Sequence, residues 1–189
     1  MSQTLHAWTI WQGARRADPQ HPYLQQYRIS PLQLRQTRQG ALLLPLCVRG
    51  EFRGVRMIHW DLERPATSVA STNGCSVPTA RHREGQPLAV AVDWASAVAM
   101  HMQGITTWAC LNLDNLGLVA FQARSIIGPH GRLLIAGDNT EEGARRADSV
   151  ATSRGAELLL PGRPMGAPQW VETFGTLALW KAGVRRASA

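Results

Sequence analysis

Residues 133–140 read LLIAGDNT, and residues 141–160 continue EEGARRADSVATSRGAELLL. Four apolar residues without alternation are the pattern of a strand buried on both faces. The chain turns polar at Gly137, Asp138 and Asn139, and Ala144, Ala147, Val150 and Ala151 then recur at helical spacing. Glu141 and Glu142 stand at the start of that helix, where its dipole favours negative charge, and Gly155 ends it. Residues 157–160 supply a second apolar strand, so 133–160 predicts a strand, crossover helix and strand, right-handed and parallel. Ligands bind at the carboxyl ends of strands in such sheets, which is where Asp138 falls.

The same texture extends upstream to Pro87. LAVAV predicts a buried strand, residues 94–103 a helix with Ala95, Val98, Ala99 and Met102 on one face, residues 106–111 a strand and 116–127 a helix. Strict alternation predicts an α/β fold with a doubly wound parallel sheet. Before it, residues 40–60 predict an antiparallel hairpin, ALLLPLCV and FRGVRMIHW about a turn at Arg49, Gly50 and Glu51. Arg53 and Arg56 are expected on its solvated face, with phosphate contact as the sharper alternative. Residues 61–86, rich in Ser, Thr, Gly and Pro, predict short edge strands and loop at a lobe boundary. The organisation expected is a smaller N-terminal α+β lobe at 1–86, the parallel-sheet domain at 87–168, and a helix with a basic tail at 169–189. Residues 4–16 predict an amphipathic helix in which Trp8 and Trp11 anchor into the core.

Composition narrows the function classes. The 189 residues hold 20 Lys plus Arg against 13 Asp plus Glu, a net charge of +7, and Lys181 is the only lysine. Guanidinium groups suit bidentate phosphate contact, which favours a nucleic-acid partner, although arginine-rich usage also follows from a GC-rich genome. No apolar run is long enough to span a bilayer, and the first residues lack a charged start before an apolar stretch. A cytoplasmic location without membrane contact is expected. Cys47, Cys75 and Cys110 lie in neither disulfide-framework nor CxxC spacing, and the histidines show no metal spacing.

Taken in order, these elements resemble the Toprim domain of topoisomerases and bacterial primases, and most closely the primase-like proteins of phages, plasmids and integrative elements. The resemblance covers most of the chain. It runs through HPYL at 21–24, YRI at 27–29, LLLPL at 42–46, then Val92-Asp93-Trp94-Ala95-Ser96, Cys110-Leu111-Asn112-Leu113-Asp114-Asn115-Leu116, and Ile135-Ala136-Gly137-Asp138-Asn139-Thr140 with Gly143. In that family an acidic residue after the first strand and a DxD pair after the third hold Mg²⁺, which takes oxygen ligands and neutralises phosphate during nucleotidyl transfer.

Carried onto this chain, the resemblance implies Asp93 and Asp138 as catalytic acids and Asp138, Thr140 and Glu142 as ligands of Mg²⁺. It implies DNA replication as the setting, with single-stranded DNA as partner and further replication or transfer proteins supplied by other chains. Arg53, Arg56, Arg145 and Arg146 are the candidate nucleic-acid contacts. The chain departs from the family pattern at Val92, which replaces the glutamate, at Thr140, which replaces the second aspartate, and at Ala167-Pro168-Gln169-Trp170, where a further acidic motif is expected. Asp138 also has a plainer reading as a cap for the following helix. Three functions stay open: a primase-like nucleic-acid-binding protein with reduced or lost catalysis, an active Mg²⁺-dependent primase with rearranged acids, and a small-ligand or nucleotide-binding domain.

Overall fold

The computed structural model describes residues 2–162 and the strand Arg185–Arg186. The helix expected at 169–182 and the motif at 167–170 lie outside the described residues. A first, antiparallel sheet runs β1 (Arg15–Arg16), β2 (Arg35–Gln36), β3 (Leu42–Val48), β4 (Glu51–Ile58) and β5 (Thr67–Val69). Helices α1 (Gln3–Gly13) and α2 (Pro22–Tyr27) accompany it. The hairpin β3–β4 has the expected place and carries a bulge: Leu46 pairs with Gly54 and Cys47 with Phe52, which leaves Arg53 as the extra residue.

The second sheet has strand order β11-β10-β9-β7-β8-β6. Its strands are β6 (Val77–Pro78), β7 (Leu88–Ala91), β8 (Thr106–Ala109), β9 (Leu133–Ala136), β10 (Glu157–Leu160) and β11 (Arg185–Arg186). The inner four, β10, β9, β7 and β8, are parallel, and β6 and β11 close the edges antiparallel. Helix α3 (Trp94–His101) links β7 to β8, α4 (Leu113–Ile127) links β8 to β9, and α5 (Glu141–Arg154) links β9 to β10. The chain thus moves from β7 outward to β8, returns across β7 to β9, and continues outward to β10. The reversal falls between β7 and β9.

Alternate side chains of these strands feed two cores. Leu88, Val90, Leu133 and Ile135 pack with α4 and α5, while Ala89, Ala91, Leu134 and Ala136 pack with α3 and with Leu42, Leu44 and Leu46 of the first sheet. Every residue from Trp94 to Met100 is buried, because α3 has a sheet on either side. That is why WASAVAM is apolar or small all round instead of amphipathic. The sheets also meet through a two-bond bridge, Cys47 N–H to Ser76 O and Ser76 N–H to Cys47 O, each 2.8 Å. The position expected to divide the lobes, between residues 86 and 87, therefore lies beside a core that continues across it.

Two expectations are corrected. Trp8 does not anchor the core: it is 43% exposed and lies edge-on to Phe52 at 5.1 Å, while Trp11 packs on Phe52 and under the Arg35 guanidinium. Only Ala7 of α1 is buried, so this helix lies on the outside of the first sheet. Met102, expected on the inward face of its helix, follows the end of α3 and is 51% exposed.

Candidate functional site

The register of the two central strands decides where the acids meet. Ala91 pairs with Ala136 in the parallel β7–β9 ladder, so Asp93 and Asp138 each stand two residues beyond matched strand ends. They lie at the reversal point, where the diverging connections leave a crevice. Asp93 lies past the end of β7, one residue after Val92. Its backbone is extended and its side chain caps α3, Oδ1 accepting from the Ser96 N–H and Oδ2 from the Ser96 hydroxyl, both at 2.8 Å. The residue keeps some surface at the crevice wall, but its carboxylate is desolvated by the packing around it, and this burial raises its pKa. The Ser96 and Ala95 backbone bonds and the Ser96 hydroxyl work against the rise, and the Asp138 charge adds to it.

Asp138 does not cap α5. Thr140 does, its hydroxyl accepting from the Gly143 N–H at 3.0 Å. Asp138 Oδ1 instead accepts from the Thr140 N–H at 3.1 Å and the Thr140 hydroxyl at 2.8 Å, closing a turn on itself. A Cβ at residue 143 would run into this carboxylate, so glycine is needed for the close approach. Glu142 is held by Arg146 at 2.8 Å, and Arg146 also pairs with Asp114 of α4. Arg145 is exposed one position away.

These bonds test the fit of Mg²⁺. Both oxygens of Asp93, Oδ1 of Asp138, the Thr140 hydroxyl and Glu142 are already engaged within the protein. Among the described residues no three His, Cys, Asp or Glu side chains converge as a ligand set. The described residues fall short of the metal centre that the family pattern implies, since Val92 and Thr140 stand where it has carboxylates and Mg²⁺ is held through carboxylate oxygens.

The crevice opens into a cleft of about 380 Å³ between the sheets. Its walls include Tyr23 and Tyr27 of α2, Arg56 of β4, Arg64, Asp93 and Trp94. Tyr23 and Tyr27 are four apart on one helix face and their rings meet at 4.7 Å. Burial pushes the Tyr23 phenol well up, helped by the Asp93 charge and then Tyr27, while the Ala95 backbone and Arg56 pull the other way; burial and then Asp93 raise Tyr27 as well. Both phenols therefore stay neutral. The Trp94 indole N–H is buried without a hydrogen-bond partner among the described residues.

The arginines expected to contact nucleic acid are thus dispersed. Arg56 is half-buried in the cleft instead of on a solvated face, while Arg53 sits exposed at the bulge, paired with Glu51 at 2.6 Å. The bulge separates them. Arg146 is occupied between α4 and α5. Sequence reasoning missed Tyr23, Tyr27 and Arg64. The i,i+4 tyrosine spacing was the available signal, whereas Arg64 sits in a segment without periodicity. Asn115 is buried and donates to Thr72 O, Cys75 O and Cys110 O while accepting from the Gly74 N–H.

No helix among the described residues is long and apolar enough to cross a membrane. No protein-family model matches the sequence, and no curated protein matches it. Solved structures do. The primase fragment of the bacteriophage T7 primase-helicase protein matches with a TM-score of 0.59 at 10% identity, over 86% of this chain and 71% of that one. A chain from the bacteriophage T7 assembly of lagging-strand DNA polymerase with primase domains of two gp4 subunits, bound to an RNA/DNA hybrid and dTTP, matches with a TM-score of 0.56. Its identity is 10%, over 82% of this chain and 84% of that one. At such identity the likeness speaks for architecture: this chain has a primase-like mixed α/β fold.

Proposed function

We propose that this protein binds single-stranded nucleic acid in the cleft between its sheets and acts in the replication or transfer of a mobile element without nucleotidyl transfer of its own. On this reading its second sheet is a Toprim domain, doubly wound, that has kept its layout and lost its metal chemistry. The observation that carries the proposal is the exchange of roles at the crevice. Asp93 caps α3 and Asp138 closes a turn with Thr140, while Arg56, Arg64, Tyr23 and Tyr27 line the cleft beside Asp93. Guanidinium groups neutralise phosphates and neutral aromatic rings stack on unpaired bases, so this lining suits a single strand better than a duplex. The Toprim resemblance and the primase-like fold supply the replication setting.

The active-primase alternative draws on the matched positions of Asp93 and Asp138 beyond β7 and β9. One experiment separates the two. Oligo-dT binding is measured by fluorescence anisotropy with Mg²⁺ or with EDTA, alongside template-directed primer synthesis. The expected outcome is metal-independent binding, weakened about tenfold by Arg56→Ala with Arg64→Ala at moderate salt, and no synthesis. Mg²⁺-dependent synthesis that disappears in Asp138→Ala would overturn the binding-only reading. Absence of binding at low salt would overturn both.

A further inference from the structure

A second concave surface runs along the β6 edge, away from the Asp93 crevice and sharing no residue with the cleft. It consists of three adjoining hollows joined by common residues. The first, between Arg53 and the exposed Phe121 of α4, shares Arg49 with the second, which is floored by Trp108 and Ile126. The second shares Arg81 and His82 with the third, which continues past Arg83 to His101 and Thr106, at the amino end of β8. Thr106 opens β8 and Ala109 closes it, so the surface ends at the sheet rim opposite Asp93 and Asp138.

Three features set this surface apart from an ordinary solvated face. Arg49, Arg81 and Arg83 are exposed, and their guanidinium groups make no ion pair or hydrogen bond with a described residue. Arg124 shows the contrast, gripping carbonyls at Gly128, Gly131, Arg154 and Gly155. Second, Arg49 occupies the first central position of a two-residue hairpin turn with φ +51°, followed by Gly50 at φ +86°. Asn-Gly is the favoured pair for a turn with both φ values positive, so a β-carbon-bearing cation here is held at a conformational cost. Third, Phe121 is 48% exposed and Leu118 46%, beside this basic strip, with the Arg154 guanidinium over one face of the Phe121 ring. Glu51 and Glu84 also line the hollows, but three unpaired guanidinium groups in line with an exposed apolar and aromatic end suit a single strand, with guanidinium groups on phosphates and a ring beneath bases.

We infer that the strip from Phe121 through Arg49, Arg81 and Arg83 is a second contact surface for single-stranded nucleic acid, engaged by strands too long for the cleft alone. The inference rests on the nucleic-acid reading of the cleft and extends it to a separate surface. A long strand contacts both; a short one is satisfied by the cleft.

Anisotropy titrations with labelled oligo-dT of about 8 and about 30 nucleotides, across a salt series, test it. In Arg49→Ala/Arg81→Ala/Arg83→Ala, binding of the long probe should fall at least about tenfold, and the slope of log affinity against log salt should shrink by about 2. Binding of the short probe should be unchanged. Phe121→Ala should weaken the long probe without altering its salt slope. Circular dichroism confirms that each variant folds, and Arg81→Glu, a single exposed change, should repeat the length-dependent loss. The inference is overturned if the triple variant binds the long probe like wild type, or loses both probes equally. It is separated from failure of the cleft reading, in which Arg56→Ala with Arg64→Ala leaves the short probe unaffected.

Discussion

Asp93 shows how one carboxylate can be kept for structure at an electrostatic cost. Its folded pKa is raised, so the folded protein binds more protons than the unfolded chain between the ordinary aspartate value and the folded one. Stability from this group is fully present below the unfolded pKa and is lost as pH rises through the folded pKa. Asn at this position would still accept from the Ser96 N–H and would carry no charge. Asp93→Asn is therefore expected to melt higher than wild type at pH 7, with the difference vanishing toward pH ~3.5, as thermal denaturation across pH would record. Asn115 is the opposite case, a polar side chain whose burial is fully satisfied. Asn115→Leu strands the Gly74 N–H and three carbonyls and should cost about 3 kcal/mol in urea titration. Neither role was legible in the sequence. Asp93 and Asn115 stand at strand-to-helix turns where a cap, a ligand and a loop residue look alike, and only the register of β7 on β9 or the approach of residues 72–75 distinguishes them.

At the scale of elements, the strands and helices from β7 to β10 were readable because both faces of the sheet are covered, so each strand is a continuous apolar run. Thr140, Asn112 and Gly155 mark helix ends through their own side chains or, for Gly155, a left-handed backbone. The short strands β1, β2, β5 and β6 were not placed individually, since two or three residues cannot show a period. The hairpin turn carries a prediction of its own. Arg49→Asn restores the residue pair that the turn prefers and should stabilise the protein by about 0.5–1 kcal/mol, measured by chemical denaturation. The same substitution should weaken binding to long single strands, so stability and affinity move in opposite directions at this position.

At the scale of the whole molecule, charge is distributed by use. Arg132 pairs with Glu157 at 2.7 Å and Arg53 with Glu51 at 2.6 Å, whereas Arg56 and Arg64 in the cleft and Arg49, Arg81 and Arg83 along the β6 edge make no ion pair with a described residue. Sequence composition gave the excess positive charge but not its division between two surfaces, because that depends on which side of a bulge or a loop each arginine falls. The shared core has a further consequence. An excised fragment 87–168 leaves one side of α3 uncovered, with Trp94 and Val98 facing water, and is expected to aggregate or bind a hydrophobic dye. The full chain should unfold in one transition, with far-ultraviolet circular dichroism and tryptophan fluorescence coinciding.

The burial of α3 between the two sheets also fixes the gauge of the space above Asp93. Lobes that share a helix cannot swing apart to admit a thick ligand and then close on it. On the proposed single-strand reading the cleft would select by girth, as a die selects wire, and a strand that fits should meet a surface already in its final shape.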